Sequence, residues 1–167
     1  MFDKELFSSH LERAHSATGD YDAFDALWKA FNVYYESLFQ RGQRQELDRV
    51  HLAAKALTQS DYRLFLTPAT IHQLLTIAPV FNERDWQRKA IKNTGEHLIV
   101  KAALTGVSHG LAPTEKDVIS LLTLLYVIRC NMAHGFKTPD GSRDAEVLSA
   151  ANCVFTPFIK TLAHRIL

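Results

Sequence analysis

The sequence predicts an all-α fold, a single-domain bundle of about five to seven helices over residues 1–167. Apolar residues recur at i, i+3 and i+4 along most of the chain, and no stretch alternates apolar and polar residues as a strand would. Only seven glycines and five prolines interrupt the 167 residues, which favours long helices. A chain of this length can bury a sizeable core without disulfides or a structural metal.

The first two helices differ in how strongly they are predicted. Residues 3–17 have the spacing of a weakly apolar helix. Residues 20–39 form a much clearer amphipathic pattern, and the aspartates at its start are expected to cap it. Its predicted buried face consists of Phe24, Leu27, Trp28, Phe31, Tyr34, Tyr35 and Leu38.

The middle of the chain is predicted as shorter, less distinctive helices. A polar helix follows Gly42 over 43–57, residues 60–66 are stopped by Pro68, and the helix 69–78 is ended by Pro79. Residues 83–107 are helical in pattern, although Gly95 weakens the centre.

The last two helices are the best delimited. Thr114 is a good N-cap with Asp117 in capping-box position, and Gly135 is expected to end that helix. Its predicted apolar stripe is Val118, Leu121, Leu125, Ile128 and Met132. The final helix, 143–166, is expected to kink at Pro157 and to bury Val147, Ala151, Val154, Phe158 and Leu162.

Composition and charge narrow the classes of function. The chain has 19 basic and 18 acidic residues, so any contact with nucleic acid must come from a local patch. The longest apolar run is too short to span a bilayer, and the first ten residues have no apolar signal core. We therefore expect a cytoplasmic protein with no membrane contact. Both cysteines, Cys130 and Cys153, lie in apolar helical patterns and are predicted to be buried, reduced thiols.

The helix that begins after Thr114 ends in the stretch "IRCNMAHG", which contains a permanent cation, Arg129, and a titratable base, His134. An ordinary explanation exists, because cations near a helix C-terminus interact favourably with its free carbonyls. Spacing alone is weak support, since Arg44 and His51 form a similar pair inside a polar helix.

The stretch "IRCNMAHG" resembles the signature of the HEPN superfamily, an arginine followed after four to six residues by a histidine, late in a small helical bundle. "FDALWKAFNVYYESLF" resembles the early helix with Trp, Asn and Tyr in the larger prokaryotic HEPN proteins linked to abortive infection. "HGFKTPDGSRDAEVLSAANCVFTPFIKTL" resembles the tail of the same proteins. The likeness extends over about 20–40 and 118–163.

This resemblance implies a metal-independent endoribonuclease that works as a homodimer, as a toxin or phage-defence effector with a possible antitoxin or regulatory partner protein. Arg129 would bind the phosphate and His134 would act as general base or acid on the RNA substrate. Asn131, three residues before the histidine, can orient the imidazole or simply meet water. Lys137 and Arg143 would hold flanking phosphates, or be solvated loop charges. No cofactor and no metal are expected.

The chain departs from the family pattern at two positions, and the departure at Cys130 together with the nearly neutral charge leaves other functions open. Cys130 stands directly after the arginine, where the family usually has a polar residue. Phe136 stands where some members carry a tyrosine whose nucleotidylation silences them, so this control is not expected. A non-catalytic HEPN module that binds nucleotide or RNA, or that serves as a dimerisation partner, is the main alternative. A structural helical domain with a chance motif is the third possible function.

A basic stripe is formed by Arg84, Arg88 and Lys92. These residues either bind along an RNA strand or form a solvated helix face.

Overall fold

Helices form all the regular structure in the parts of the chain that the computed structural model describes. These parts are residues 2–38, 46–76, 104–133 and 142–167, without the side chains of Asn131, Ala133, Ser142 and Arg143. Within them no residue belongs to a strand, which confirms the all-α prediction. Seven α-helices have full bounds there: α1 Lys4–Ser16, α2 Asp20–Ser37, α3 Glu46–Leu52, α4 Gln59–Tyr62, α5 Pro68–Thr76, α6 Glu115–Ala133 and α7 Ser142–Ile166. A 3₁₀ helix, Ala53–Ala56, and a helical stretch at 104–108 bring the number slightly above the predicted range.

Side-chain hydrogen bonds cap several helix starts, those of α1 and α6 among them, but not that of α2. The Asp3 carboxylate accepts a hydrogen bond from the backbone of Leu6 at 3.0 Å and caps α1. The predicted aspartate cap of α2 was wrong, because the N-cap residue is Gly19 and the aspartates lie inside the first turn. There they still favour the helix through its dipole. At α6, both the backbone N–H and the hydroxyl of Thr114 donate to the Asp117 carboxylate, so only the Asp117 half of the capping box forms.

The described middle of the chain is more broken than the sequence predicted. The expected helix 43–57 is α3 followed by the 3₁₀ helix, and residues 43–45 lie outside the described ranges. Only one helical turn, α4, forms near 60–66, and Pro68 is the first residue of α5, a position where its missing N–H costs nothing. The predicted helix 83–107 and the basic stripe within it fall outside the described residues, except for the helical 104–107. Helix α7 continues through Pro157, and its kink stays a prediction.

An aromatic cluster at the centre of the bundle joins the helices. α2 packs against α1 and α7, α3 against α6, and α5 against α7. Trp28 of α2 lies 6.2 Å from Tyr126 of α6 and 5.9 Å from Phe155 of α7, measured between ring centroids. The predicted stripes of α2, α6 and α7 are buried apart from Leu38, which is partly buried. Burial of these faces supplies the main stabilising free energy and fixes the order of the helices.

The two thiols are less buried than the sequence predicted. Cys130 is partly exposed, Cys153 is exposed, and neither forms a disulfide. Cys153 lies about 100° around the helix from the buried Val154, which places it off the apolar face of α7. Among the described helices none is long and apolar enough to cross a membrane.

An ion pair joins α4 to the end of α7. Arg165 donates to both carboxylate oxygens of Asp61, with the Nη2–Oδ1 distance at 2.8 Å and the Nε–Oδ2 distance at 3.1 Å. The backbone N–H and the hydroxyl of Thr58 also donate to Asp61, each at 2.7 Å. The Arg165 guanidinium, together with Thr58, lowers the pKa of the Asp61 carboxyl to about 2.

Asp61→Asn is expected to reduce the free energy of unfolding by about 1 kcal/mol at neutral pH, the usual value of a helix cap. Because the folded-state pKa lies below the ordinary 3.8, the carboxylate stabilises the fold above pH 3.8 and loses this effect as the pH falls towards 2. Urea unfolding of both proteins between pH 7 and 2 should therefore show curves that converge in acid. Glu12→Gln, at an exposed position in the middle of α1, is the control. A difference that persists at pH 2 would contradict this account.

Candidate active site

Arg129 lies near the C-terminal end of α6 and faces the start of α3. Its Nη1 atom is 3.7 Å from Oε2 of Glu46, the first residue of α3. This is longer than the 2.7–2.9 Å of a close charge-assisted hydrogen bond. The Arg129 side chain is 35% exposed and the Glu46 side chain 24%. The guanidinium is thus held near a carboxylate without being closed onto it, and solvent can reach it.

A chain of hydrogen bonds from α2 holds the Glu46 carboxylate. The Tyr35 hydroxyl donates to Oε1 of Glu46 at 2.5 Å, and the Asn32 amide donates to the Tyr35 oxygen at 2.6 Å. Asn32 and Tyr35 are one turn apart on α2, which brings both side chains to the same side of the helix. We call this set the Asn32–Tyr35–Glu46 network. It orients the one carboxylate found beside Arg129 among the described residues.

On α6 itself, Arg129 shares a face with Tyr126 and Cys130. Cys130 lies one turn after Tyr126 and directly after Arg129, and its thiol is near enough to raise the pKa of both side chains. Burial and the Cys130 thiol raise the pKa of Tyr126 to about 12. The residue that departs from the HEPN pattern therefore lies near both the tyrosine and the arginine and affects their protonation.

Tyr35 and Arg129 each keep one protonation state over the ordinary pH range. Burial and then the hydrogen bond to Glu46 raise the pKa of Tyr35, which keeps its hydroxyl a donor. Partial burial lowers the pKa of Arg129, but the Glu46 carboxylate and the Cys130 contact raise it by more. Arg129 therefore remains a cation at every working pH. A titration that controls activity near neutrality must come from another group.

Arg129 also lines an open cleft between α2 and α6. The cleft has a volume of about 340 Å³, and Lys29 and Asn32 line its α2 side. The guanidinium thus has a carboxylate on one side and open space on the other. A phosphate entering this space meets the donors of Arg129 that the distant Glu46 does not hold.

The structure locates only part of the predicted site. Of the five predicted residues, Arg129 alone has a described side chain. Asn131 and Arg143 are described as backbone within α6 and α7, while His134 and Lys137 lie outside the described residues. Whether Arg129 and His134 lie together therefore stays a prediction.

The sequence did not predict the partners that the structure gives Arg129. Tyr35 was assigned to the core, and it is indeed fully buried, but its hydroxyl also reaches Glu46. Asn32 and Tyr35 lie within the early helix that carries the HEPN likeness, so that likeness was the available signal. Glu46 had none, because it belongs to a polar segment without a motif.

His51, the histidine of the comparison pair, has a structural contact. Its Nε2 atom lies 2.8 Å from the Thr123 hydroxyl, which itself donates to the carbonyl of Ile119. With that hydroxyl proton used, Nε2 of His51 is the donor. Burial lowers the pKa of His51, so the ring stays neutral and ties α3 to α6. Arg44 lies outside the described residues.

The described residues contain no group of three or more His, Cys, Asp or Glu that could hold a metal ion. Comparison of the chain with models of protein families, with curated proteins and with solved structures gives no match. The HEPN resemblance therefore rests on the sequence stretches that carry it, and the activity that it implies is a proposal.

Proposed function

We propose that this chain is a metal-independent endoribonuclease that cleaves RNA by attack of a 2′-hydroxyl on the adjacent phosphate. The observation that carries the proposal is the Arg129 guanidinium, which is accessible, loosely paired at 3.7 Å and open to a cleft. Its planar fork of donors suits the charge that develops on the phosphoryl oxygens.

The residues have separate roles in this reaction. His134 takes the proton of the 2′-hydroxyl, whose oxygen then forms a bond to phosphorus while the bond to the 5′-oxygen breaks. Arg129 stabilises the negative charge on the phosphate in the transition state, and the leaving 5′-oxygen takes a proton from water or from a second histidine. The products are a 2′,3′-cyclic phosphate and a free 5′-hydroxyl. Asn131 orients the imidazole, and Lys137 and Arg143 bind flanking phosphates.

The biological setting follows from the same resemblance. We propose a homodimer in which both copies of Arg129 and His134 face one shared groove, acting as a toxin or phage-defence effector. An antitoxin or regulatory partner protein would then hold the activity in check. Two chains would double the phosphate donors, since the motif supplies one arginine and one histidine per copy.

A binding function without catalysis is the second candidate. The observation that favours it is the Glu46 carboxylate, which competes with any phosphate for Arg129. In that case the chain would bind a nucleotide or RNA, or serve as a dimerisation partner. Such a module would bind RNA and leave it uncut.

Incubation of the purified protein with a labelled single-stranded RNA tests the proposal. We expect cleavage that continues in EDTA, products with 2′,3′-cyclic phosphate ends, and no cleavage of the same sequence as DNA, which lacks the 2′-hydroxyl. The rate should fall on the acid side of about pH 6.5, the ordinary imidazole pKa. Products with 5′-phosphates, or activity abolished by EDTA, would refute the mechanism. Bound but intact RNA would favour the second candidate.

A further inference from the structure

The cleft beside Arg129 has the features of a site for one nucleotide. Its volume of about 340 Å³ falls at the lower end of the range for small-molecule pockets. Both aromatic residues and charged residues of α2 and α6 line it. Its lining residues include Tyr21, Asp25, Trp28, Lys29 and Arg129.

The charges of the cleft fit a phosphate. Among its described lining residues, Lys29 and Arg129 are cations and Asp25 is the one carboxylate. Lys29 donates to Oδ2 of Asp25 at 2.7 Å, one helical turn away. The positive excess attracts an anionic ligand, and Arg129 is the cation without so close a carboxylate.

The Asp25–Lys29 pair also presents a particular pattern of hydrogen-bonding groups. Two carboxylate oxygens stand beside an ammonium, so two acceptors adjoin a donor. The Watson–Crick edge of guanine is the complement, because its N1–H and 2-amino groups donate while O6 accepts. Adenine, cytosine and uracil each offer only one donor at this edge. Asp25 and Lys29 together therefore match guanine better than any other base.

Aromatic residues complete the site. Tyr21 is partly exposed where it lines the cleft, and a base can stack on such a ring. Trp28 is 4% exposed, and its indole N–H has no hydrogen-bond partner among the described residues. Because that N–H is itself buried, Trp28 contributes ring surface to the cleft and no donor for the ligand.

We propose that this cleft binds a guanine nucleotide of the RNA chain and gives the enzyme its base preference. Asp25 accepts from N1–H and the 2-amino group, Lys29 donates to O6, and Arg129 binds the adjoining phosphate. This inference rests on the proposed ribonuclease function for the identity of the ligand as RNA. The site itself can be tested with free nucleotides.

Calorimetric titration of the full chain with the 5′-monophosphates of guanosine, inosine, adenosine, cytidine and uridine tests the site. Guanosine monophosphate should bind at least about tenfold more tightly than the others, the effect of one hydrogen bond to a charged group. Inosine monophosphate isolates the contact of Asp25 with the 2-amino group, because it lacks only that group. Asp25→Asn should abolish the preference for guanosine over inosine, whereas Asp22→Asn, exposed on the same helix, should preserve it.

The outcomes separate this inference from the proposed function. Selective guanosine binding that depends on Asp25, in a protein that cuts no RNA, supports the cleft and refutes the ribonuclease. RNA cleavage without any base preference supports the ribonuclease and refutes the guanine site in the cleft. Equal affinity for all five nucleotides, no binding at millimolar concentration, or equal effects of Asp22→Asn and Asp25→Asn would each overturn the inference.

Discussion

Replacing Arg129 with alanine is expected to lower the kcat/KM of RNA cleavage by about 10²–10³-fold, the usual effect of removing a donor that stabilises transition-state charge. Arg129→Lys should recover only part of this loss, since lysine keeps the charge but not the planar fork. The fold should survive both changes. The side chain is partly exposed and its ion pair is loose, so the free energy of unfolding should stay within about 1 kcal/mol of wild type.

Arg49→Ala is the matched control for this prediction. Arg49 also lies at a helix–helix contact and pairs with a glutamate, Glu36, at 2.9 Å, but it is on α3 and does not line the cleft. Its loss should leave kcat/KM nearly unchanged. His134→Ala should abolish cleavage, because it removes the group that takes the proton of the 2′-hydroxyl. A loss of several kcal/mol in Arg129→Ala would instead identify Arg129 as a structural residue at a helix end.

Two variants of the Asn32–Tyr35–Glu46 network are expected to change RNA binding in opposite directions. Glu46→Gln keeps the contact with the Tyr35 hydroxyl but removes the charge that competes with phosphate. We expect KM to fall about fivefold, in line with the roughly 1 kcal/mol of a partly exposed ion pair. Tyr35→Phe leaves the carboxylate without its holding donor, so Glu46 can close onto Arg129. KM should then rise by about as much.

The double variant Tyr35→Phe/Glu46→Gln distinguishes two roles for Glu46. The carboxylate either competes with phosphate for Arg129 or supports the position of Arg129. If Tyr35→Phe acts by freeing the carboxylate, then combining it with Glu46→Gln should return KM to a low value, because no charge remains to close onto Arg129. Steady-state kinetics with kcat measured alongside KM would show this. If instead both single variants raise KM, Glu46 supports the position of Arg129 and does not compete with phosphate.

The side chains around Cys130 bear on whether this departure from the family motif impairs the site. From the sequence, the thiol in place of a polar residue left the activity of the site open. In the structure Cys130 is partly exposed, and its thiol raises the pKa of both Tyr126 and Arg129, so it belongs to the polar surroundings of the guanidinium. A thiol is a weak hydrogen-bonding group, so Cys130 competes little for the hydrogen-bond donors of Arg129. The position is therefore compatible with a working site.

The sequence by itself determined the helical class and the buried faces of the long helices. The 3.6-residue periodicity of a helix depends only on residues about one turn apart in the sequence. The apolar stripes of α2, α6 and α7 could therefore be predicted from the sequence. It also identified Arg129 as a cation at the end of an apolar helix. Sequence patterns did not predict that Gly19 is the N-cap of α2 or that Cys153 is exposed. These features depend on the detailed path of the chain more than on local propensity.

Only the tertiary structure decided what surrounds Arg129. Glu46 approaches it because α3 packs against α6, and Tyr35 reaches Glu46 because α2 packs against α3. The cleft with Asp25 and Lys29 arises in the same way, from the facing of α2 and α6. Side-chain packing between helices sets these distances, and packing depends on many residues far apart in the chain. No local pattern in the sequence encodes which carboxylate will stand 3.7 Å from a given arginine.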